Sequence, residues 1–457
     1  MVGYLFILLV VLSVSGFVAG RMKAAAARSA GGASGFHSRP VYHGANVAVY
    51  TGVPALVLVL VWLLFQGSVI NHVLLAGMPG AASLPLSERD LLLSEIQQVA
   101  SGNIFREPTP EVAAAAQRLN SMRFSSHLAM FALAAALAIA GMTFAWSRIS
   151  ARYTARHSVE RAMNLFMIFC SIVAILTTLG IIASLVYEAA QFFRRVPMSE
   201  FFFGMRWEPQ IPMREDQVAG SGAFGAVPVF LGTMVIATLA MLVAVPIGLL
   251  AAVYLTEYAS ERFRSIVKPL LEILAGIPTV VYGFFAVLIM APAIREFGIS
   301  LGFDVSPNSA LAAGTVMGVM LIPFISSLSD DALAAVPQSM RDGSFALGAT
   351  KGETIRKVLL PAALPGIVGG ILLALSRAVG ETMIVVMAAG LIATMNVNPL
   401  DSVTTVTVQI VTLLIGDTEF DNPKTLAAFA LGLMLFIITL GLNVIALRIV
   451  RKYREMY

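Results

Sequence analysis

Apolar positions in this chain are gathered into nine long stretches separated by more polar segments. A transmembrane helix needs about 20 mostly apolar residues, because the hydrocarbon core is about 30 Å thick and a helix rises about 1.5 Å per residue. The pattern therefore predicts an all-α polytopic membrane protein with about nine transmembrane helices. The predicted spans are residues 2–20, 47–66, 127–147, 163–187, 227–254, 266–292, 310–327, 365–393 and 425–449.

The spans fall into two groups. Residues 1–147 hold three of them and an external segment, 67–126, and we expect this part to be an N-terminal membrane extension. Residues 148–457 hold the other six spans, and no internal repeat is visible in them. The three long connections of this second group are 188–226, 328–364 and 394–424.

Lys and Arg collect on one side of the membrane if the nine helices alternate in direction. The segment 148–161, the loop 328–364 and the C-terminal tail carry these cations. By the positive-inside rule that side is the cytoplasm, so we expect an external amino terminus and a cytoplasmic carboxyl terminus. We interpret the first span as a retained helix and not a signal peptide, because Arg21 and Lys23 follow its apolar core and no cation precedes it.

Composition excludes several classes of function. The chain is 58% hydrophobic and 12% charged, whereas soluble domains carry about 25% charged residues. The net charge of +4 is too small to indicate nucleic-acid binding. A single cysteine, Cys170, allows no internal disulfide and no cysteine-based metal site, and the histidines show no metal-ligand spacing. We expect no catalytic residue, no metal and no cofactor, and since the chain lacks a GxxxxGK[ST] loop, any ATP must be hydrolysed by another chain.

The loop before the eighth predicted span has helix-forming segments on both sides of a glycine. Gln338–Leu347 and Gly352–Leu360 are each predicted to form a short helix, with Gly348 at the turn between them. Pro361 and Pro365 are expected to end the second helix before the span begins.

Four apolar residues lie on these otherwise polar helices, and they favour insertion into the groove of a partner protein. They are Phe345, Leu347, Ile355 and Leu359. An interfacial loop without a partner is the alternative that these residues leave open.

The spacing within 338–361 resembles the EAA loop of binding-protein-dependent ABC importer permeases, which reads E-A-A-x3-G-x9-I-x-L-P. Here Asp342 takes the place of the glutamate, Gly343 and Ser344 those of the two alanines, and Val358 that of the isoleucine, while Gly348, Leu360 and Pro361 match outright. The resemblance implies a MetI-like six-helix permease core and ATPase subunits that grip this loop.

Two charges interrupt the eighth predicted span. Arg377 lies 12 residues after Pro365, about 18 Å along a helix and so near the middle of the membrane. An arginine there costs about 2.5–3.5 kcal/mol, and Glu381, four residues on, is expected on the same helix face as a partial counter-charge. A fixed guanidinium suits tetrahedral oxyanions and indicates an anion pathway. A salt bridge that only fixes helix packing is the alternative.

The residues around these charges, Ser376–Thr382, resemble the RAxGET pattern of PstC and PstA, the two permease subunits of the high-affinity phosphate importer. Further similar stretches are 204–209, 224–228 and 275–283, and the resemblance covers about residues 160–457. It implies that Arg377, Glu381 and Thr382 belong to a phosphate pathway. The residues that follow Thr382 are closer to the C-type subunit, and residues 1–147 resemble an extension of some longer members.

The resemblance also implies partners. They are phosphate itself, a homologous PstA-like permease, two copies of a PstB-like ATPase, an external phosphate-binding protein and the lipid bilayer. No nucleic acid is expected among them.

Gly276, Pro278 and Gly283 interrupt the sixth predicted span. A kink beside the pathway and close helix packing through glycine are both compatible with them. In the same span, Glu272 is expected either to extend to the interface or to pair with one of two nearby cations, Arg264 and Lys268.

The best interpretation is an inner-membrane permease subunit of an ABC phosphate importer, which itself makes and breaks no bond. An ABC permease for another oxyanion, sulfate or molybdate, would keep the loop but should lack the paired Arg377 and Glu381. An ion-coupled secondary transporter would show repeats and broken helices and would need no ATPase.

Overall fold

The computed structural model describes residues 2–31, 37–78, 85–102, 109–209, 222–415 and 422–454. Helices dominate these residues, as expected where no water pairs with backbone groups. The chain divides into two compact units, Met1–Leu176 and Thr177–Tyr457, and the dividing point lies inside a long helix. The expected functional boundary between an extension, 1–147, and a permease domain, 148–457, stays a prediction.

The first unit contains three long helices, one short helix and the beginning of a fourth long one, as far as its residues are described. In chain order the helices are α1 (Val2–Gly31), α2 (Pro40–Ala76), α3 (Leu86–Ala100), α4 (Pro110–Ser147) and α5 (Ala155–Arg195). Thr109 begins α4, since its hydroxyl accepts the N–H of Val112 at 3.4 Å. Such side-chain caps satisfy a donor that the first helical turn leaves unpaired.

Helices α1, α2 and α4 pack around a shared apolar core that includes Leu5, Val59 and Met130. Small residues allow this close approach. A Cβ atom at Gly141 of α4, for example, would collide with the carbonyl oxygen of Tyr50 on α2. Packing through small residues is typical of membrane helices, because lipid provides no hydrophobic force that would drive helices together.

The second unit continues from the end of α5. Its elements are α6 (Met198–Phe203), β1 (Trp207–Glu208), β2 (Ala223–Phe224), α7 (Val227–Val253), α8 (Glu261–Ala275), α9 (Thr279–Phe285), α10 (Ala291–Ser300), α11 (Ala310–Ala334), α12 (Gln338–Ala346), α13 (Lys351–Thr354), α14 (Leu360–Val379), α15 (Met383–Ala388), α16 (Val406–Leu414) and α17 (Pro423–Arg454). Single π-helical turns follow α7, α9 and α13. The two short strands pair antiparallel, with Trp207 opposite Phe224.

Helices α7 and α11 form the centre of this unit and run in the same direction, since Gly314 packs on Leu239 and Gly248 packs on Ile325. Helix α14 runs antiparallel to α11, since Gly366 packs on Ala332 and Gly370 packs on Leu328. The core between them also takes in α9 and α15. The end of the unit at which α12 and α13 lie is called the loop end below.

Nine helices in the described ranges are long and apolar enough to cross a membrane, which confirms the predicted number. The predicted span 266–292 is wrong in its bounds, because α8 ends before Gly276 and the spanning helix is Thr279–Ser300. Pro278 stands at the junction, where it lacks an N–H and disfavours a helical residue before it.

The close approach of α7 to the segment before α16 gives a test of this packing. A Cβ atom at Gly232 would collide with the carbonyl oxygen of Thr404, and the N–H of Val406 donates to the Thr233 hydroxyl at 3.0 Å. We expect Gly232→Ala to lower the free energy of unfolding by about 1–3 kcal/mol, measured by thermal unfolding of the purified protein in detergent.

The matched control is Gly441→Ala in α17, where a Cβ atom would meet nothing within 4 Å. Alanine there should be neutral or slightly stabilising, because it favours helix over glycine. Equal losses in the two variants would contradict the packing described for Gly232.

Candidate functional site

The helix that carries Arg377 ends in the middle of the transmembrane core. Helix α14 runs from Leu360 to Val379, and regular helix resumes only at Met383. The guanidinium carbon of Arg377 lies 6.0 Å from the ring centroid of Phe324, which lies near the midpoint of α11. Arg377 is therefore near mid-depth, but the predicted continuous span 365–393 is wrong.

Glu381 lies in this break and not on the helix face of Arg377. Its carboxylate oxygen Oε1 accepts the N–H of Met383 at 3.1 Å and, more weakly, that of Ile384 at 3.5 Å. Glu381 thus caps α15. Among the described residues no ion pair joins Arg377 to an acidic side chain, so the expected pairing with Glu381 is wrong: α14 ends before the four-residue spacing could align the two.

Two hydroxyls supply further hydrogen bonds at the break. Thr407, near the start of α16, donates to the carbonyl oxygen of Glu381 at 2.8 Å. Thr382 donates to the carbonyl oxygen of Gly380 at 3.4 Å. The backbone N–H and C=O groups of a non-helical segment at membrane depth need hydrogen bonds from the protein or from water. These two hydroxyls supply such bonds to two carbonyl oxygens of the break.

Arg377 is exposed on the surface of this chain in spite of its depth. A charge at the bilayer centre that faced lipid would cost about 2.5–3.5 kcal/mol or more. Its surroundings must therefore be water or another protein surface. The guanidinium offers five N–H donors in a plane that suits oxyanions, so the arrangement can bind and release an anion. The described residues hold no group of three or more metal-ligating side chains.

A second helix break, between α8 and α9, lies beside α15. Gly276–Pro278 separates the two helices, and the hydroxyl of Tyr282 donates across it to the carbonyl oxygen of Leu274 at 2.8 Å. Gly283 packs directly on α15, where an added Cβ atom would meet Met387. The kink expected at these glycines is a complete break, and close packing through Gly283 occurs as well.

A charged cluster at the loop end of α11 was not predicted from the sequence. Asp330 is only 4% exposed and accepts hydrogen bonds from Arg264 at 2.8 Å, Lys268 at 2.7 Å and Thr256 at 2.6 Å. The expected partner of the two cations, Glu272, forms no ion pair among the described residues. The hydrogen bond to Asp330 raises the pKa of the Lys268 ammonium above its ordinary value. A carboxylate at the end of an apolar helix was the signal that could have indicated this site.

One π-helical turn, Tyr254–Tyr258, links this cluster to the loop. Three successive residues of the turn each contact a different element. The contacts are the hydrogen bond from Thr256 to Asp330 of α11, a 3.2 Å ion pair between Glu257 and Arg341 of α12, and a cation–π contact of Lys351 of α13 at 5.0 Å from the ring of Tyr258. The loop is thereby tied to the charged cluster of the transmembrane core.

Helices α12 and α13 form the helix pair predicted for the loop. Gly348 stands at the turn with φ +82°, in the left-handed region that favours glycine. The hydroxyls of Ser344 and Thr354 lie 2.9 Å apart and join the two helices. Thr350 and Glu353 form a capping box at the start of α13.

The apolar residues of the loop divide into two pairs. Phe345 and Leu347 are 44% and 91% exposed, as expected of residues that meet a partner. Ile355 and Leu359 are buried in an apolar cluster of this chain, so the prediction that they enter a partner's groove is wrong. Sequence spacing showed an apolar face but could not show that this chain covers half of it.

The seven positions of the EAA-like pattern differ in exposure. Asp342, Gly343, Gly348 and Pro361 are exposed, Val358 and Leu360 are half-buried, and Ser344 is buried. Within the described part of the chain, the carboxylate of Asp342 accepts one long hydrogen bond, 3.3 Å, from Gln338. It is therefore accessible to a cation from outside the chain.

The prediction that Pro361 and Pro365 end the second loop helix is wrong. A π-helical turn, Ile355–Leu359, joins α13 to α14, and Lys351–Val379 is one candidate span. A π-turn changes which backbone carbonyl each N–H group bonds. A proline after the turn has no N–H group and therefore needs no such hydrogen bond.

The left-handed turn at Gly348 can be tested directly. We expect Gly348→Val to weaken the pairing of α12 with α13 by about 1–2 kcal/mol, because a side chain disfavours this conformation. Faster hydrogen exchange of the α12 amides would report it. Gly343→Ala is the control, since a Cβ atom there meets nothing within 4 Å and its φ is not positive; unchanged exchange in Gly348→Val would contradict the role of the turn.

Two known families and one solved structure are similar to parts of this chain. Residues 6–177 match the family described as phosphate ATP-binding cassette transporter, and residues 244–455 match the family described as binding-protein-dependent transport system inner membrane component. A structure of the inward-facing MetNI methionine ABC transporter is 23% identical, covers 50% of this chain and 94% of that chain, and has a TM-score of 0.36.

Two curated relatives are similar over most of their own length. The probable ABC transporter permease protein YqgH of Bacillus subtilis is 34% identical over 59% of this chain and 84% of that protein. The phosphate transport system permease protein PstC 1 of Mycobacterium tuberculosis is 33% identical over 55% of this chain and 81% of that protein. The predominantly helical, multi-pass chain therefore belongs to the inner-membrane permeases of binding-protein-dependent ABC transporters, in their PstC-like group.

Proposed function

We propose that this chain is the permease subunit of an ATP-driven importer of inorganic phosphate. Support for the substrate comes from relatives named as phosphate transport permeases and from the phosphate transporter family matched by residues 6–177. The chain binds no nucleotide through a known motif and makes or breaks no bond, so it acts by opening and closing a path.

The observation that carries this proposal is the exposed guanidinium of Arg377, two residues before the end of α14 and near mid-depth of α11. Because it has no acidic partner among the described residues, its donors are available to an anion. Exposure on this chain at mid-depth is compatible with a path that runs between this subunit and a second permease. We place Arg377, Glu381 and Thr382 on that path.

Glu381 acts in this proposal through the backbone. Its carboxylate holds the first N–H groups of α15 and so fixes the break that presents Arg377. A negative charge at this place also opposes tight binding of an anionic substrate, which favours release. Gly276, Pro278 and Gly283 place the second break next to α15 and give the path a point at which helices can move.

The loop 338–361 is the proposed contact with the ATPases. Phe345 and Leu347 offer apolar anchors, and Asp342 offers a carboxylate for an ion pair. We place this loop and the carboxyl terminus in the cytoplasm and the amino terminus outside. The partners in this scheme are a homologous permease, two ATPase subunits and an external phosphate-binding protein.

The domain boundaries proposed from the sequence are retained, with a membrane extension at 1–147 and the permease domain at 148–457. An ion-coupled secondary transporter would also contain broken helices. The membership of residues 244–455 in an ABC permease family and the exposed loop anchors favour the ATP-driven alternative.

Substrate and site are tested by labelled uptake in vesicles that hold this chain with its cognate permease, ATPase and binding protein. We expect ATP-dependent phosphate uptake, and a fall of about tenfold or more in Arg377→Gln, because hydrogen bonds to charged groups contribute about 1.5–3 kcal/mol. Arg377→Lys should retain part of the rate, since the charge stays but the planar fork is lost.

Arg451→Gln, an exposed change near the end of α17, is the control and should transport normally. Sulfate uptake in place of phosphate uptake would refute phosphate as the substrate but would leave the assignment to the ABC permease family intact. Unchanged phosphate uptake by an assembled Arg377→Gln transporter would remove Arg377 from the path.

The loop contact has its own test. We expect Leu347→Ala to weaken binding of the purified ATPase by about tenfold or more, because burial of a leucine contributes about 1.5–3 kcal/mol. Leu391→Ala, a change at an exposed leucine (55% exposed) after α15, should bind normally. An unaltered affinity in Leu347→Ala would show that the ATPase does not use this anchor.

A further inference from the structure

The first unit contains a cavity of about 440 Å³ between α2 and the first turns of α5. Arg148, His157 and Arg161 contribute its basic groups, and Tyr50 and Val53 of α2 lie on its other wall. No acidic residue lines it. This cavity, called the basic cavity, lies wholly within residues 1–176.

The two arginines of the basic cavity have no acidic partner among the described residues. The acid nearest to them in sequence, Glu160, already binds Arg156 at 2.6 Å. Arg148 packs its guanidinium over the ring of Phe144, 4.3 Å from the centroid, which orients it without neutralising it. The cavity therefore carries a net positive charge that an anion would balance.

An apolar groove of about 550 Å³ continues from the basic cavity along α2. Pro54 lines both, and the groove extends to Ile70, a length of about 24 Å on a helix that rises 1.5 Å per residue. Its lining residues on α2 recur every three or four positions and so form one stripe. Trp62 is fixed in that stripe by a 3.0 Å hydrogen bond from its Nε1 to the hydroxyl of Ser126 on α4.

The order of these features matches the structure of a lipid. A phosphate group needs cations at the membrane surface, and the acyl chain attached to it needs an apolar surface of about 15 Å, half the hydrocarbon thickness. The groove is longer than that. Basic pockets beside transmembrane helices that bind anionic headgroups follow the same physical logic. A free anion would account for the cavity but not for the groove joined to it.

We propose that the first unit binds an anionic phospholipid, with its headgroup phosphate in the basic cavity and one acyl chain in the groove along α2. The two arginines select a net negative headgroup over a zwitterionic one, whose own ammonium they would repel. The stripe on α2 selects a long acyl chain. This lipid would fasten α2 to α5 inside the first unit.

The test uses the purified full-length chain, with the subunits that co-purify with it, in detergent. Fluorescent phosphatidylglycerol and phosphatidylcholine are titrated separately. We expect tighter binding of phosphatidylglycerol, and about fivefold weaker binding for each arginine replaced in Arg148→Gln and Arg161→Gln, the fold-change that corresponds to about 1 kcal/mol per cation.

Arg156→Gln is the matched control, because it removes an arginine from the same helix that points to Glu160 and does not line the cavity; it should keep the phosphatidylglycerol affinity. Arg148→Lys with Arg161→Lys preserves the charge and should keep the preference, which separates loss of charge from loss of fold. Equal affinity of the wild type for the two lipids would overturn the proposal.

The groove is tested by Val61→Trp, which fills it. We expect weaker binding of long-chain phosphatidylglycerol and little change for a dihexanoyl analogue, which has almost no chain to place there. Complete displacement of the lipid by millimolar inorganic phosphate, together with no effect of Val61→Trp, would show a free-anion site and refute the lipid. None of these outcomes depends on whether the chain imports phosphate.

Discussion

A backbone inside a bilayer has no water to pair with, and each of its peptide groups must find a partner in the protein. The second unit meets this constraint at the end of α14. The carboxylate of Glu381 takes the N–H groups at the start of α15, and Thr407 reaches the carbonyl oxygen of Glu381. These bonds stay within the chain, and among the described residues Arg377 has no acidic partner at mid-depth.

The same constraint explains why small residues and breaks occur together. Gly283 allows α9 to touch α15, and Gly232 allows the segment before α16 to touch α7. Each contact brings a polar backbone away from lipid and against another helix. The site is thus assembled from short pieces whose polar ends are covered by close packing.

Features that depend on neighbouring residues alone could be predicted from the sequence. The nine apolar stretches were found because each depends only on its own residues, and the loop turn was found because Gly348 provides a backbone conformation that other residues disfavour. The helix end after Val379 was missed, since Arg377 and Glu381 were interpreted as two charges within one continuous span. The break is held by Glu381, which caps α15, and by Thr407 of α16, which lies 26 residues after Glu381.

Contacts between residues far apart in the sequence could not be predicted. Arg264 and Lys268 have Glu272 on their own helix, yet both bind Asp330, 66 and 62 residues further on. Whether a carboxylate lies within reach depends on how α8 crosses α11, and periodicity does not determine that crossing. For the same reason the sequence indicated an apolar face at Ile355 and Leu359 without showing that this chain covers it.

The π-helical turn Tyr254–Tyr258 has a mechanical consequence. A π-turn holds one residue more than a regular turn, and one residue rotates an α-helix by about 100°. If this turn relaxed to regular α-helix, Thr256, Glu257 and Tyr258 would swing off α11, α12 and α13 together. One turn thus carries all three contacts between the loop and the membrane core, and its relaxation would break them together.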